Sequence, residues 1–315
     1  MPSRSLAAAL AAAALAACGN YSTDDIAFVE ALPTREALRV AVPAPPAPAA
    51  CGALGEASQW TQARTTGAAM NAGLDWILGA VDLVRSLEPT ERHRDQRIWG
   101  PFPDGKHPGF QGRVTVSRSE GADGIPVYAF AFETQRPLLE STWHVIIGGQ
   151  FVGGSGRTGQ GSVTLYFTTI RALGLNEKPD DPTVDVSIGY DRRADPRRLS
   201  LSIPPGAAGF GLVDFDYGFA SWTSGDSHLD FAFQDSLGNR VVTQAGFLPS
   251  GAGRGDVTLY PASPPPASYQ FTVCWDESGC VTAVADFFNV SGHCGTATTC
   301  VTPGWQTICP QVKQP

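Results

Sequence analysis

Val213-Asp214-Phe215-Asp216-Tyr217-Gly218-Phe219 places an apolar residue at every odd position and an acidic or small one at every even position. Side chains of an extended chain point alternately to opposite faces, so this period of two predicts a strand with one face buried and one in water. The same alternation recurs on both sides. Downstream lies Leu229/Phe231/Phe233, and upstream lie Leu199/Leu201/Ile203, Val184/Val186/Ile188/Tyr190, Val163/Leu165/Phe167, Tyr128/Phe130/Phe132 and Val114/Val116. Turn-forming clusters separate them at short intervals: Gly121-Ala122-Asp123-Gly124, the glycine-rich 153–161, Asp191 to Pro196, Ser224-Gly225-Asp226-Ser227 and Leu237-Gly238-Asn239. Eight to eleven antiparallel strands in up-and-down order follow.

Before about Phe110 the period changes to 3.6. Trp60, Met70, Leu74, Ile77, Val81, Val84 and Leu87 share one face of a helix over 57–87, which Pro89 ends. A sheet this long with one apolar face must close on itself or wrap something, and this helix is the available filler. The expected fold is therefore mainly β: a large curved antiparallel sheet or half-barrel packed on one long helix. At the level of fold this resembles the outer-membrane lipoprotein carriers. A membrane-spanning barrel fits less well, because its strands need about nine to eleven residues each and several runs here are shorter.

The first residues carry Arg4, then an apolar run from Leu6 to Leu15 too short to span a bilayer as a helix but of the size of a signal-peptide core. Leu15-Ala16-Ala17-Cys18 resembles the lipobox of bacterial lipoprotein precursors. That resemblance implies cleavage before Cys18, a diacylglyceryl group on its sulfur, and attachment to a membrane in the cell envelope with no spanning segment. Two acyl chains suffice, since each buried methylene contributes about 0.8 kcal/mol. By the sorting rule of enterobacterial lipoproteins, Gly19 rather than Asp favours the outer membrane. Past the anchor, Thr23-Asp24-Asp25 can cap a short helix that Pro33 stops, and VPAPPAPAA from Val42 to Ala50 reads as a semi-rigid spacer. The expected organisation is a signal peptide over 1–17, a lipid-anchored tether over 18–56, a helix and β-domain over 57–265, and a cysteine-rich segment over 266–315.

With Cys18 assigned to lipid, six cysteines remain: Cys51, Cys274, Cys280, Cys294, Cys300 and Cys309. An even number in an exported chain reads as disulfides. Cys274 and Cys280 flank a turn-like Asp276-Glu277-Ser278-Gly279, and Cys294 and Cys300 repeat that spacing. The expected pairs are 274–280, 294–300 and 51–309. Zinc is the competing reading because His293 adjoins Cys294, yet the Cys-x2-Cys spacing of structural zinc sites is absent.

The 315 residues carry a formal charge of −8, which argues against a nucleic-acid partner whose phosphates require a basic face. Gly154-Ser155-Gly156-Arg157-Thr158-Gly159 matches the dinucleotide fingerprint, but residues 162–168 after it read as a strand where that fingerprint needs a helix. Gly225-Asp226-Ser227-His228-Leu229 resembles the nucleophile motif of the GDSL hydrolases, though it stands late in the chain and no Asp-x-x-His follows. The five histidines, His93, His107, His144, His228 and His293, form no metal-binding pair on a helix. Glu177 to Asp181 is an acidic turn without the spaced ligands of a calcium loop. Arg254-Gly255-Asp256 spells an adhesion tripeptide in a glycine-rich stretch.

No cofactor, metal or catalytic residue is expected from these motifs. The leading expectation is a non-enzymatic envelope lipoprotein that binds an apolar ligand or a protein partner, marked by a deep apolar pocket between sheet and helix. A structural lipoprotein docking through exposed aromatics near Trp275 and Trp305 is the second. A hydrolase whose site joins Asp226, Ser227 or His228 to a distant acid is the third.

Overall fold

The computed structural model describes residues 22–43, 51, 55–121, 123–152, 159–176, 183–203, 215–234, 237–262 and 268–286. Its helices are α1 (Thr23–Ala31), α2 (Arg35–Leu38), α3 (Ser58–Ser86) and α4 (Phe167–Ala172). The strands are β1 (Glu91–His93), β2 (Gln96–Pro103), β3 (Gln111–Glu120), β4 (Pro126–Gln135), β5 (His144–Val152), β6 (Gln160–Leu165) and β7 (Val186–Asp191). They continue as β8 (Arg197–Ile203), β9 (Phe215–Ser221), β10 (Ser227–Gln234), β11 (Arg240–Phe247), β12 (Gly253–Tyr260), β13 (Tyr269–Trp275) and β14 (Val281–Asp286).

All fourteen form one antiparallel sheet in which spatial order equals chain order, from β1 at one edge to β14 at the other. The expected eight to eleven strands thus fall short of the number present. Most of the strands that sequence periodicity missed have a broken alternation; β13, with Tyr269, Phe271, Val273 and Trp275 at alternate positions, does not. β2 carries Gly100-Pro101 inside it, with a register shift between Trp99 and Phe102. β12 buries Gly253, Arg254, Gly255 and Asp256 in succession, a run with no hydrophobic period. Where alternation is clean, the face is as predicted: in β8, Leu199, Leu201 and Ile203 are buried between exposed Arg198, Ser200 and Ser202.

The core lies on one side of this sheet. Helix α3 contributes Trp60, Met70, Leu74, Leu78, Val81 and Val84 to it. The expected face is thus present with two changes: Leu87 is the exposed C-cap, and the side chain of Ile77 lies outside the described residues. The helix begins beside the β13–β14 turn, where Ala57 N donates to Gly279 O at 2.9 Å, and it packs on β11 and β12. It ends beside β2, where Trp99 Nε1 donates to Leu87 O at 2.8 Å. Fourteen strands laid flat would span about 60 Å, whereas 29 helical residues extend roughly 43 Å. The sheet therefore curves so that both of its ends meet the ends of one helix.

The expected tether over 18–56 is not extended throughout. Residues 22–43 are folded onto the domain: Phe28, Leu32, Leu38 and Val40 are buried in the common core. Ser22 and Asp25 form a reciprocal capping box on α1. Asp25 is wholly buried and accepts from Arg97 on β2 and, at 3.0 Å, from Arg92 on β1. Asn71 on α3 closes two hydrogen bonds of 2.9 Å with the backbone of Val40. Residues 44–50, most of the Pro-Ala-rich stretch, lie outside the described residues.

The cysteines pair differently from the expectation. Cys51 is bonded to Cys280, with Cα atoms 5.1 Å apart, which rules out both 274–280 and 51–309. The hairpin register explains this. Cys274 stands opposite Ala283, and both are buried together within the β13–β14 ladder, while Cys280 sits at the turn, bridged in antiparallel fashion to Glu56. Cys274 is itself disulfide-bonded. Cys294, Cys300 and Cys309 lie outside the described residues, as does Cys18.

Candidate functional site

In β7 to β10 the odd-even alternation that buries Tyr190, Leu199, Tyr217, Phe219 and Leu229 turns the intervening residues to the opposite, solvent-facing side. Strand register aligns those residues in rows. Gly189, Ser200, Gly218 and Asp230 stand side by side, and Asp191, Arg198, Ala220 and His228 form the next row. The middle of this surface is therefore nearly free of side chains, and a cavity of about 590 Å³ opens over it. A Cβ at Gly189 would come within 2.8 Å of Ser200 Oγ, which would have to rotate aside.

Charged groups border the floor. His228 Nδ1 lies 3.2 Å from Asp230 Oδ2, and Gln244 Nε2 donates to Asp230 Oδ1 at 2.9 Å. Burial works against the Asp230 carboxylate, but the hydrogen bond and charge of His228, with Gln244 and the nearby Arg198, hold its pKa below the usual carboxylate range. Asp191 is also held low, first by the Arg193 side chain, which donates Nε at 3.1 Å and Nη2 at 2.8 Å, then by the Arg193 backbone. Both carboxylates are thus ionised at neutral pH, with Arg193 and Arg198 beside them.

The end of the cavity is closed by two turns tied together. Thr223, in the β9–β10 turn, donates its backbone N to Asp195 Oδ1 at 3.1 Å and its hydroxyl to Oδ2 at 2.8 Å. Pro196 and Trp222 line this end. The two hydrogen bonds join the β7–β8 and β9–β10 turns beside Pro196 and Trp222.

The hydrolase motif comes apart in this geometry. Ser227 and His228 are consecutive in β10 and so occupy opposite faces, Ser227 on the buried side and His228 in the groove. A base on the far side of the sheet cannot take the serine proton. The dinucleotide-like glycines 154–156 lie outside the described residues, but the segment after them is strand β6, and no helix N-terminus follows to face a pyrophosphate. The adhesion-like tripeptide is inside β12, where Arg254 and Asp256 are buried, 3.0 Å apart, and Thr272 donates to Asp256.

Four histidines each stand beside a carboxylate: His93 with Glu91, His107 with Asp104, His144 with Glu140 and His228 with Asp230. Among the described residues no three metal-binding side chains come together. His293 and the whole acidic turn at 177–181 lie outside them. No described helix is long and apolar enough to cross a membrane.

Sequence reasoning missed the groove because its residues come from four strands, and only register places them together. The available signal was the run of small residues on the polar side of successive strands: Gly189, Ser200, Gly218 and Ala220. Comparison of the chain with protein-family models, with curated proteins and with solved structures found no match.

Proposed function

We propose that the chain is a non-enzymatic binding protein of the bacterial envelope, held to a membrane by lipid on Cys18, and that the groove over β7–β10 is its binding surface. The observation that carries this reading is the contrast between the two sides of the sheet. The side facing α3 is filled with side chains: Trp99, Leu74, Val81 and Val84 are each at most 2 % exposed. An apolar ligand carried between sheet and helix finds no support there. The opposite side bears the open cavity with its fixed polar border.

Docking through aromatics of the C-terminal region has less support. Trp275 is fully buried, packs on Phe247 with ring centroids 5.4 Å apart, and donates Nε1 to Gly251 O at 3.1 Å. Trp305 lies outside the described residues.

Native mass spectrometry of the membrane-extracted protein tests the reading. The expected spectrum has an N-terminal diacylglyceryl-cysteine at position 18 and a bound molecule that is lost in Gly218→Phe, where the new ring fills the groove floor. An unmodified N-terminus elsewhere overturns the anchor. A bound molecule retained by a folded Gly218→Phe overturns the site.

A further inference from the structure

We infer that the groove over β7–β10 takes an uncharged polyhydroxylated ligand, a neutral saccharide chain; this deepens the binding reading above and rests on it. Three features of the site lead to this class.

The first is shape. Gly189, Gly218 and Ala220 bring at most one side-chain carbon each to the floor, and Ser200 adds only a hydroxyl. The result is a bed of small side chains that runs across the four strands β7–β10. Its volume of about 590 Å³ is in the range of small-molecule sites.

The second is charge balance. Of the residues lining the cavity, Asp191 and Asp230 are acidic and Arg198 is basic, while His228 stands against Asp230 and Arg193, outside the lining, is paired with Asp191. A phosphate or carboxylate group would meet two ionised carboxylates, and an ammonium group would meet the Arg198 guanidinium. An uncharged ligand meets no repulsion. Each of its hydroxyls both donates and accepts, which suits a border where carboxylate acceptors alternate with guanidinium donors.

The third is the indole. Trp222, half-buried, lines the groove and brings an aromatic side chain beside polar partners. Sugar rings present the matching combination, with C–H groups on one face and hydroxyls around the edge. The Asp195–Thr223 hydrogen bonds hold the turns beside Trp222 in place before any ligand arrives, so little ordering cost falls on binding.

The test is calorimetric titration of the full-length protein with maltohexaose, cellohexaose and chitohexaose. The detergent must be zwitterionic and free of sugar headgroups. At least one of the three is expected to saturate with a Kd of about 1 mM or tighter. Trp222→Ala should weaken that binding about tenfold or more, while Trp222→Phe, which keeps an aromatic face, should retain most of it. Ser200→Phe, an exposed position whose side chain would fill the bed, should abolish it with an unchanged circular dichroism spectrum.

Saccharide binding that survives in Ser200→Phe overturns the placement. Absence of saturation with all three sugars, or tighter binding of inorganic phosphate or a short lysine peptide, overturns the saccharide class. In that event a natural ligand still lost from Gly218→Phe in the mass spectrum leaves the broader binding reading standing, so the two failures are distinguishable.

Discussion

Asp25 on α1 and Arg97 on β2 form an ion pair across 72 residues of sequence, with both side chains at most 5 % exposed. The pair fastens the first described helix to the second strand of the sheet. Arg97 also donates to the carbonyls of His93 and Gln96, so its guanidinium is committed on several sides. Asp25→Ala should lower stability by roughly 3 kcal/mol, because it leaves a buried cation without its counter-charge. Urea unfolding followed by tryptophan fluorescence measures this, and a loss under about 0.5 kcal/mol would show that the pair contributes no more than a surface ion pair.

Acid should release the same helix. Burial opposes the Asp25 carboxylate, but hydrogen bonds from Arg97, Arg92 and Ser22 outweigh it and lower its pKa from 3.8 to about 2. A carboxylate whose folded pKa is depressed contributes stability above its unfolded pKa and loses that contribution as pH falls through the folded value. The contribution of Asp25 is therefore present at neutral pH and lost between pH 3.8 and about 2. Wild type and Asp25→Asn should converge in unfolding midpoint over that interval. An unchanged gap at the lowest pH would contradict the assignment.

Cys51 and Cys280 are 229 positions apart, so their bond closes a loop of most of the domain. Chain-entropy reasoning puts the contribution of so long a loop at about 5 kcal/mol. Cys51→Ser should lower the urea midpoint markedly at neutral pH, with a steeper slope on denaturant because the uncrosslinked unfolded chain exposes more surface. Peptide mapping without reductant should recover residue 51 linked to 280 and leave no 274–280 peptide.

Gly279 has φ +80° and sits on Trp60, where a Cβ would lie 2.8 Å from the indole. Gly279→Ala is strained in its backbone and crowded against a residue that is only 3 % exposed. It should destabilise by about 1–3 kcal/mol, read as a drop in thermal midpoint. Gly105 has nothing near its Cβ position, and Gly105→Ala serves as the control.

Trp99→Phe removes the donor to Leu87 O at the end of α3 and trims a side chain that is fully buried. A loss of at least about 1 kcal/mol is expected. Amide exchange should quicken in the last turn of α3 and in β2, and a uniform change throughout the sheet would argue against a local fastening role.

How far these features could be read beforehand depends on whether they are local. Strands such as β8 and β9, and the long face of α3, are legible because burial imposes a period on neighbouring residues. In β12 the inward positions are glycines, so that Gly255 can approach Gln59 on α3, where a Cβ would come within 2.7 Å; the hydrophobic signal is therefore missing. The docking of 22–43 was hidden because the partners of Asp25 and Val40 lie 72 and 31 residues away. The groove was hidden for a related reason: Asp191, Arg198 and His228 share a row only once the β7–β8, β8–β9 and β9–β10 registers are set.

The strict agreement of chain order with spatial order has a bearing on biogenesis. A chain threaded unfolded through a secretion channel could add one hairpin after another to the edge already formed, since no strand awaits a later one except its immediate successor. Cys51 is different. On such a route it would emerge early and would wait for Cys280 at the far end, after thirteen strands had passed. For this architecture, mispairing during that interval is the hazard that a thiol-disulfide isomerase would be needed to correct.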